Sequence, residues 1–200
     1  MKNLWVFGDS FTYGNGSLLG DPYEKKYRVS DDEKIWPVIV SEKLGMNLKN
    51  KGFGLYSNDK IIDTIIENYD YISEGDLVIL GKTFYSRFDI PVNNHLITLS
   101  PTNLPPYEDE FLNELIIRMN SKLFEDRQMK RFTFFKNQLE KRGVFFLTWD
   151  VETEWYSYET IKSVTNGEII DLHWSYKGHN DFSKRILIGL EELKGFKNEN

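Results

Sequence analysis

Leu4-Trp5-Val6-Phe7-Gly8-Asp9-Ser10 is the stretch on which the fold turns. Four apolar residues in succession, closed by a glycine, suit a strand buried on both faces, since a strand with one wet face would alternate apolar and polar residues. The Gly-Asp-Ser that follows marks where the strand ends. Ser10 is therefore expected at the reactive edge of a sheet, with its own backbone N–H facing the same space. On the tripeptide alone, a serine that caps a helix is the competing reading.

Working outward, residues 35–44 carry Ile35, Val38, Ile39 and Leu44 at helical spacing and stop at Gly45, and residues 46–48 suit a short second strand. Residues 57–72 place Ile61, Ile62, Ile65, Ile66 and Tyr69 on one helical face, with Ser57 or Asn58 as the cap. DLVILG (residues 76–81) and VFFLT (residues 144–148) are further buried strands. Scattered prolines at Pro91, Pro101, Pro105 and Pro106 predict a long irregular excursion over residues 86–106. Residues 111–141 read as one or two helices with a break near Glu125 and Asp126, and residues 178–193 as a closing amphipathic helix. Apolar strands alternating with helices predict an α/β fold with a parallel sheet covered on both faces, and ligands on such sheets bind beyond the carboxyl ends of the strands. The chain length predicts one domain over residues 1–194, followed by a polar tail at 195–200.

A net charge of -6 and a pI near 5.2 leave no basic field for a phosphate backbone, so nucleic acid is not an expected partner. Cysteine is absent, which removes disulfides and thiolate metal sites. No apolar run is long enough to span a bilayer, and residues 1–8 lack the pattern of a secretion signal. The expected location is the cytoplasm or a virus particle. The sequence leaves an oligomeric or virion partner open.

A nucleophilic serine needs a base, and the three histidines are His95, His173 and His179. His95 falls in the irregular excursion. His173 stands just before the last helix with Asp171 two residues upstream, where an acid fixes the tautomer of the ring and stabilises its protonated form. His179 fits better as a residue that caps or packs that helix. His173 and His179 have no third ligand at a usual spacing, so no metal is expected, and no cofactor is called for. The glycines Gly14, Gly16 and Gly20 match neither the phosphate-loop nor the dinucleotide spacing. The Gly-x-Ser-x-Gly elbow of the other large serine-hydrolase fold is absent too.

Taken together, FGDSFTYG (residues 7–14), WPVIVSEKLG (36–45), NKGFGLYSND (50–59) and DLHWSYKGH (171–179) resemble the SGNH, or GDSL-like, hydrolases over nearly the whole chain. The resemblance implies a flavodoxin-like three-layer α/β/α fold and esterase, lipase, thioesterase or carbohydrate deacetylase activity without a cofactor. It implies Ser10 as nucleophile, His173 with Asp171 as the general base pair, and Gly54 as the second-block glycine of the oxyanion hole.

Three departures stand out. The third block, usually Gly-x-Asn, is Gly81-Lys82-Thr83. GKTFYSRFD (residues 81–89) resembles a variant seen in phage-encoded members, which makes Thr83 and Arg87 candidates and Asn58 a possible substitute amide for the oxyanion. The usual Gly-Gly pair of the second block is Gly54-Leu55, and the acid of the last block is two residues before the histidine instead of three. Asp9, Arg87 and Trp174 are the candidate substrate contacts. Among the many aromatics most are expected in the core, while Phe84, Tyr85, Trp149 and Trp174, next to strand ends, could line a sugar or acyl pocket. The expected function is hydrolysis of small acyl esters, with a carbohydrate ester as the preferred substrate. A noncatalytic carbohydrate-binding or virion-associated module that kept the fold is the alternative.

Overall fold

The computed structural model describes residues 1–14, 34–92, 95–99, 121–158, 163–165, 168–171, 173–193 and 195–196. In chain order the elements are β1 (Asn3–Phe7), α1 (Ser10–Tyr13), α2 (Trp36–Leu44), β2 (Asn47–Asn50), α3 (Asn58–Asn68), β3 (Leu77–Lys82), β4 (Phe88–Val92), β5 (His95–Leu99), α4 (Ser121–Lys141), β6 (Phe145–Asp150), α5 (Val151–Glu154), β7 (Ser163–Thr165), β8 (Glu168–Asp171) and α6 (Tyr176–Glu191).

β1, β2, β3 and β6 form one all-parallel sheet in the order β2-β1-β3-β6, so their carboxyl ends share one edge. Period-2 alternation sorts the strand residues between two cores. Leu4, Val6, Leu77 and Ile79 face α2 and α6 and pack with Trp36, Val40, Phe182 and Ile186. Trp5, Phe7, Val78 and Leu80 face the opposite way, onto Ile61, Ile62 and Ile65 of α3 and Phe132 and Leu139 of α4. The fold is thus a three-layer α/β/α sandwich, as expected. No helix among the described residues is long and apolar enough to cross a membrane.

The helix ends follow local chemistry. Ser57 Oγ accepts from Lys60 N–H at 3.1 Å and starts α3, and Ser175 Oγ accepts from Gly178 N–H at 3.2 Å and starts α6. Gly45 ends α2 in the left-handed conformation at φ 60°.

Several expectations are revised. The break near Glu125 and Asp126 does not occur: α4 runs unbroken, and both carboxylates pair with Lys122 one turn earlier, at 3.3 and 3.1 Å. The excursion after Ser86 is in part a regular antiparallel hairpin, β4 with β5. It is fastened to α3 by Asp89, whose carboxylate accepts from Ser57 Oγ at 2.6 Å and from Thr98 Oγ1. Residues 93–94 and 100–120 lie outside the described residues. Phe196, assigned from sequence to the tail, packs edge-on against Phe145 with ring centroids 5.1 Å apart.

At the amino end of the sheet, Asp76 is a buried hub. Its carboxylate accepts from Asn3 N–H at 2.9 Å, Trp5 Nε1 at 2.9 Å, Ser73 N–H at 3.2 Å and the Asn3 amide at 3.3 Å. Burial works against its ionisation, and the donors from Asn3, Trp5 and Ser73 outweigh burial and hold the carboxyl below its ordinary value. A depressed folded-state pKa contributes stability that is present above the unfolded value and lost as pH falls through the folded one. Acid unfolding should therefore steepen below about pH 4. Asp76→Ala should flatten that limb and cost roughly 2–3 kcal/mol at neutral pH, measured by urea titration at several pH values.

Candidate active site

The chain leaves β1 through Gly8 into a single helical turn. Asp9 is extended (φ -94°) and caps α1, its Oδ1 accepting from Phe11 N–H at 3.1 Å. Gly14 closes the turn at φ 90° and donates to Ser10 O at 2.8 Å. Two side chains pin the turn from outside: Trp36 Nε1 donates to Phe11 O, and the Asn50 amide to Thr12 O, each at 3.1 Å. Two glycines allow the close approach. A Cβ on Gly8 would stand 2.1 Å from Thr12 Oγ1, and one on Gly52 would stand 2.7 Å from Thr12 Cγ2 and 2.8 Å from Tyr13 N.

Ser10 is the first residue of this turn, at the carboxyl edge of the central strand β1, and is 3% exposed. Among the described residues nothing accepts from the backbone N–H of Ser10 or of Gly54. His173 is half-buried between β8 and α6. Its ring packs on Phe11, the residue after Ser10, with centroids 4.9 Å apart. Trp174 follows it at 0% exposure, wedged among Phe11, Trp149, Tyr158 and Phe182 with ring centroids 4.6–5.5 Å away. Asp171 ends β8, and its side chain lies outside the described residues, as does Leu172.

The third block is arranged differently from the expectation. Thr83 Oγ1 donates to Asp9 Oδ2 at 2.6 Å and accepts from Arg87 NH1 at 2.9 Å, and Arg87 NH1 reaches Asp9 Oδ2 at 3.0 Å. The Thr83 hydroxyl proton is thus already committed to Asp9 in this arrangement. Asn58 is corrected for the same reason. Its amide donates to Thr83 O at 2.9 Å and Gln128 Oε1 at 3.0 Å, and its Oδ1 accepts from Thr83 N–H at 2.9 Å, all in a fully buried setting. Asp9 and Arg87 are likewise buried against each other, which replaces the expected substrate contact with a structural one. The Arg87 guanidinium stacks on Phe84 at 4.9 Å, and its Nε has no partner among the described residues.

Trp174 and Trp149 belong to the core, at 0% and 3% exposure, packed with Trp36 and Phe182 between sheet and helix. Phe84 and Tyr85 are half-buried, and the Tyr85 hydroxyl is occupied by Lys82 and Asp150. His179 packs as expected, at 0% exposure. Burial, with His173 as a second and smaller cause, pushes its pKa down to about 3, so it is neutral at neutral pH. Among the described residues no group of three His, Cys, Asp or Glu could hold a metal.

Sequence reasoning missed the exposed aromatics beside Ser10. Tyr13 and Phe53 are 47% and 55% exposed with ring centroids 5.7 Å apart, and Tyr56 packs at a tilt against Phe53 at 5.2 Å. Tyr13 follows Ser10 by three residues, which on a helix means the same side, and that spacing was the available signal. Leu55, in place of the usual second glycine, holds a left-handed φ of 65°.

No protein-family model matches the chain, and no curated protein matches its sequence. Solved structures do. The chain is similar to a member of the lipolytic protein G-D-S-L family from Veillonella parvula, with 15% identity over 96% of this chain and 74% of that one and a TM-score of 0.40. It is similar to the aryl esterase of M. smegmatis, with 14% identity over 96% of this chain and 100% of that one and a TM-score of 0.48. A lipase/acylhydrolase from Enterococcus faecalis is similar too, with 11% identity over 98% of this chain and 100% of that one and a TM-score of 0.42. These three solved structures are a lipolytic protein of the G-D-S-L family, an aryl esterase and a lipase/acylhydrolase, and at such identities the likeness speaks to the fold alone.

Proposed function

We propose that the chain is a serine hydrolase of the SGNH kind acting on small acyl esters, with carbohydrate esters as the preferred substrates. The observation that carries this reading is the packing of the His173 ring 4.9 Å from Phe11, beside Ser10, at the carboxyl edge of a parallel sheet. In the proposed reaction His173 accepts the Ser10 hydroxyl proton as Oγ bonds to the acyl carbon. The ester C–O bond then breaks, and the departing alcohol oxygen takes that proton from His173. Water attacks the acyl-enzyme, His173 accepts its proton, and the acid leaves as the proton returns to Ser10. Asp171 orients the ring.

The backbone N–H groups of Ser10 and Gly54, which meet no acceptor among the described residues, are the proposed oxyanion donors. Neither Thr83 nor Asn58 is free to stand in for the amide that the family draws from its third block, because they are committed to Asp9, Arg87 and Gln128. Losing one such donor costs on the order of 10²- to 10³-fold in rate, so slow turnover is expected. The same commitment of donors favours the second reading, a noncatalytic carbohydrate-binding or virion-associated module.

Ser10→Ala and His173→Ala should each lower hydrolysis of a short-chain acyl ester by about 10³-fold or more, with unchanged circular dichroism. Rates equal to the parent protein's would overturn the serine mechanism. The Asp9 pair gives a separate test. Arg87→Met leaves a buried carboxylate short of its cation and should cost about 3 kcal/mol or more, whereas Asp9→Asn combined with Arg87→Met should recover most of that loss in a urea double-mutant cycle.

A further inference from the structure

We infer that the exposed faces of Tyr13 and Phe53, backed by Tyr56, form a saccharide subsite beside Ser10 that receives the sugar portion of the ester. The inference depends on the serine-hydrolase reading only for which part of the substrate lies there.

Three placements join the wall to the nucleophile. Tyr13 sits one helical turn after Ser10 on α1. Phe53 is anchored by its backbone, its N–H donating to Gly8 O at 3.2 Å, two residues before Ser10. Gly54, the second proposed oxyanion donor, lies between Phe53 and Leu55. The wall, Ser10 and Gly54 are therefore carried by the same two turns.

Its exposure needs an explanation. A phenylalanine left largely in water forgoes about 1.5–3 kcal/mol of burial, and this chain buries Phe7, Phe11, Phe132 and Phe182 almost completely. Single exposed apolar residues are ordinary, whereas a contiguous cluster beside a reactive group marks a binding surface. Here Tyr13, Phe53 and Leu55 are all close to half exposed, and the rings touch in sequence at 5.7 and 5.2 Å. Leu55 moreover holds a left-handed backbone at φ 65°, a strain of the kind retained at ligand clamps.

The shape and chemistry of the wall select the ligand. Tyr13, Phe53, Leu55 and Tyr56 carry no formal charge at neutral pH, so nothing in the wall itself attracts a charged group. The rings are tilted by 50° and 36° to one another, and Tyr13 and Phe53 each leave about half of their surface exposed, so we take them as a platform for one face of a ligand. A flexible acyl chain laid on a platform loses rotor freedom for a one-sided contact. A pyranose ring is already rigid. It can lay its apolar C–H face on an aromatic ring and keep its hydroxyls in water, as amphipathic groups require.

The test begins with binding to the Ser10→Ala protein, which is expected to hold an ester without cleaving it. Titration with peracetylated methyl glucoside, followed by tyrosine fluorescence and NMR shifts of the aromatic protons, should give saturable binding. That binding should weaken about 5- to 10-fold in Phe53→Ala and in Tyr13→Ala and be restored in Phe53→Tyr. Both side chains are exposed, so unchanged thermal midpoints should accompany the loss. In proteins that keep Ser10, kcat/KM for the sugar ester should fall by the same factor while that for ethyl acetate stays constant. Unchanged sugar binding in both alanine variants overturns the subsite, and so does an equal fall for ethyl acetate or a preference of the wall for phenyl acetate over the glucoside. Wall-dependent binding with no turnover in any protein supports the subsite and overturns only the hydrolase reading.

Discussion

The carboxylate of Asp9 sits where the first and third strands of the sheet end, and three donors converge on it. One oxygen caps the turn that presents Ser10, and the other takes the Thr83 hydroxyl and the Arg87 guanidinium. A carboxylate with 1% of its surface exposed is tolerable only when it is paired and hydrogen-bonded. Satisfying it forces the end of β3 and the segment carrying Arg87 into contact with the α1 turn. Asn58 extends the constraint, since its amide grips Thr83 on both sides of the peptide and meets Gln128 from α4. The position of Ser10 is thus fixed jointly by β1, β3, α3 and α4.

The layered fold was legible because it depends on short-range patterns. Leu4–Phe7 and Leu77–Leu80 announce doubly buried strands through unbroken apolar runs, and Ser57, Ser175 and Gly45 announce helix ends through their own chemistry. The hairpin of β4 and β5 was hidden because Pro91 reads as a breaker, yet it falls on a two-stranded ribbon whose outer positions need no ladder partner. The continuity of α4 was hidden because Glu125 and Asp126 look like turn residues until Lys122 is seen to pair with both.

The site divided along a similar line. Ser10 and His173 are proposed from order along the chain and from the strand ends, which are short-range signals. The roles of Thr83, Asn58 and Trp174 could not be read that way, because each depends on which partner a donor or ring meets across the fold. Thr83 finds Asp9 74 residues away and Asn58 finds Gln128 70 residues away. Trp174 stands next to a strand-end histidine in sequence, yet the closure of α6 over the sheet turns it inward. Tyr13 and Phe53 carried the opposite ambiguity, as aromatics that composition assigns to the core and packing leaves outside.

The burial of Trp174 bears on how this protein responds to heat. The residue that fixes the backbone of His173 is a keystone of the aromatic core, in ring contact with Phe11, Trp149, Tyr158, His179 and Phe182. Phe11 belongs at once to that core and to the turn of Ser10. The aim of the histidine and the seat of the serine are therefore parts of one cooperative unit rather than of a loosely attached rim. Such a site keeps its geometry up to the melting of the whole core and loses it abruptly there.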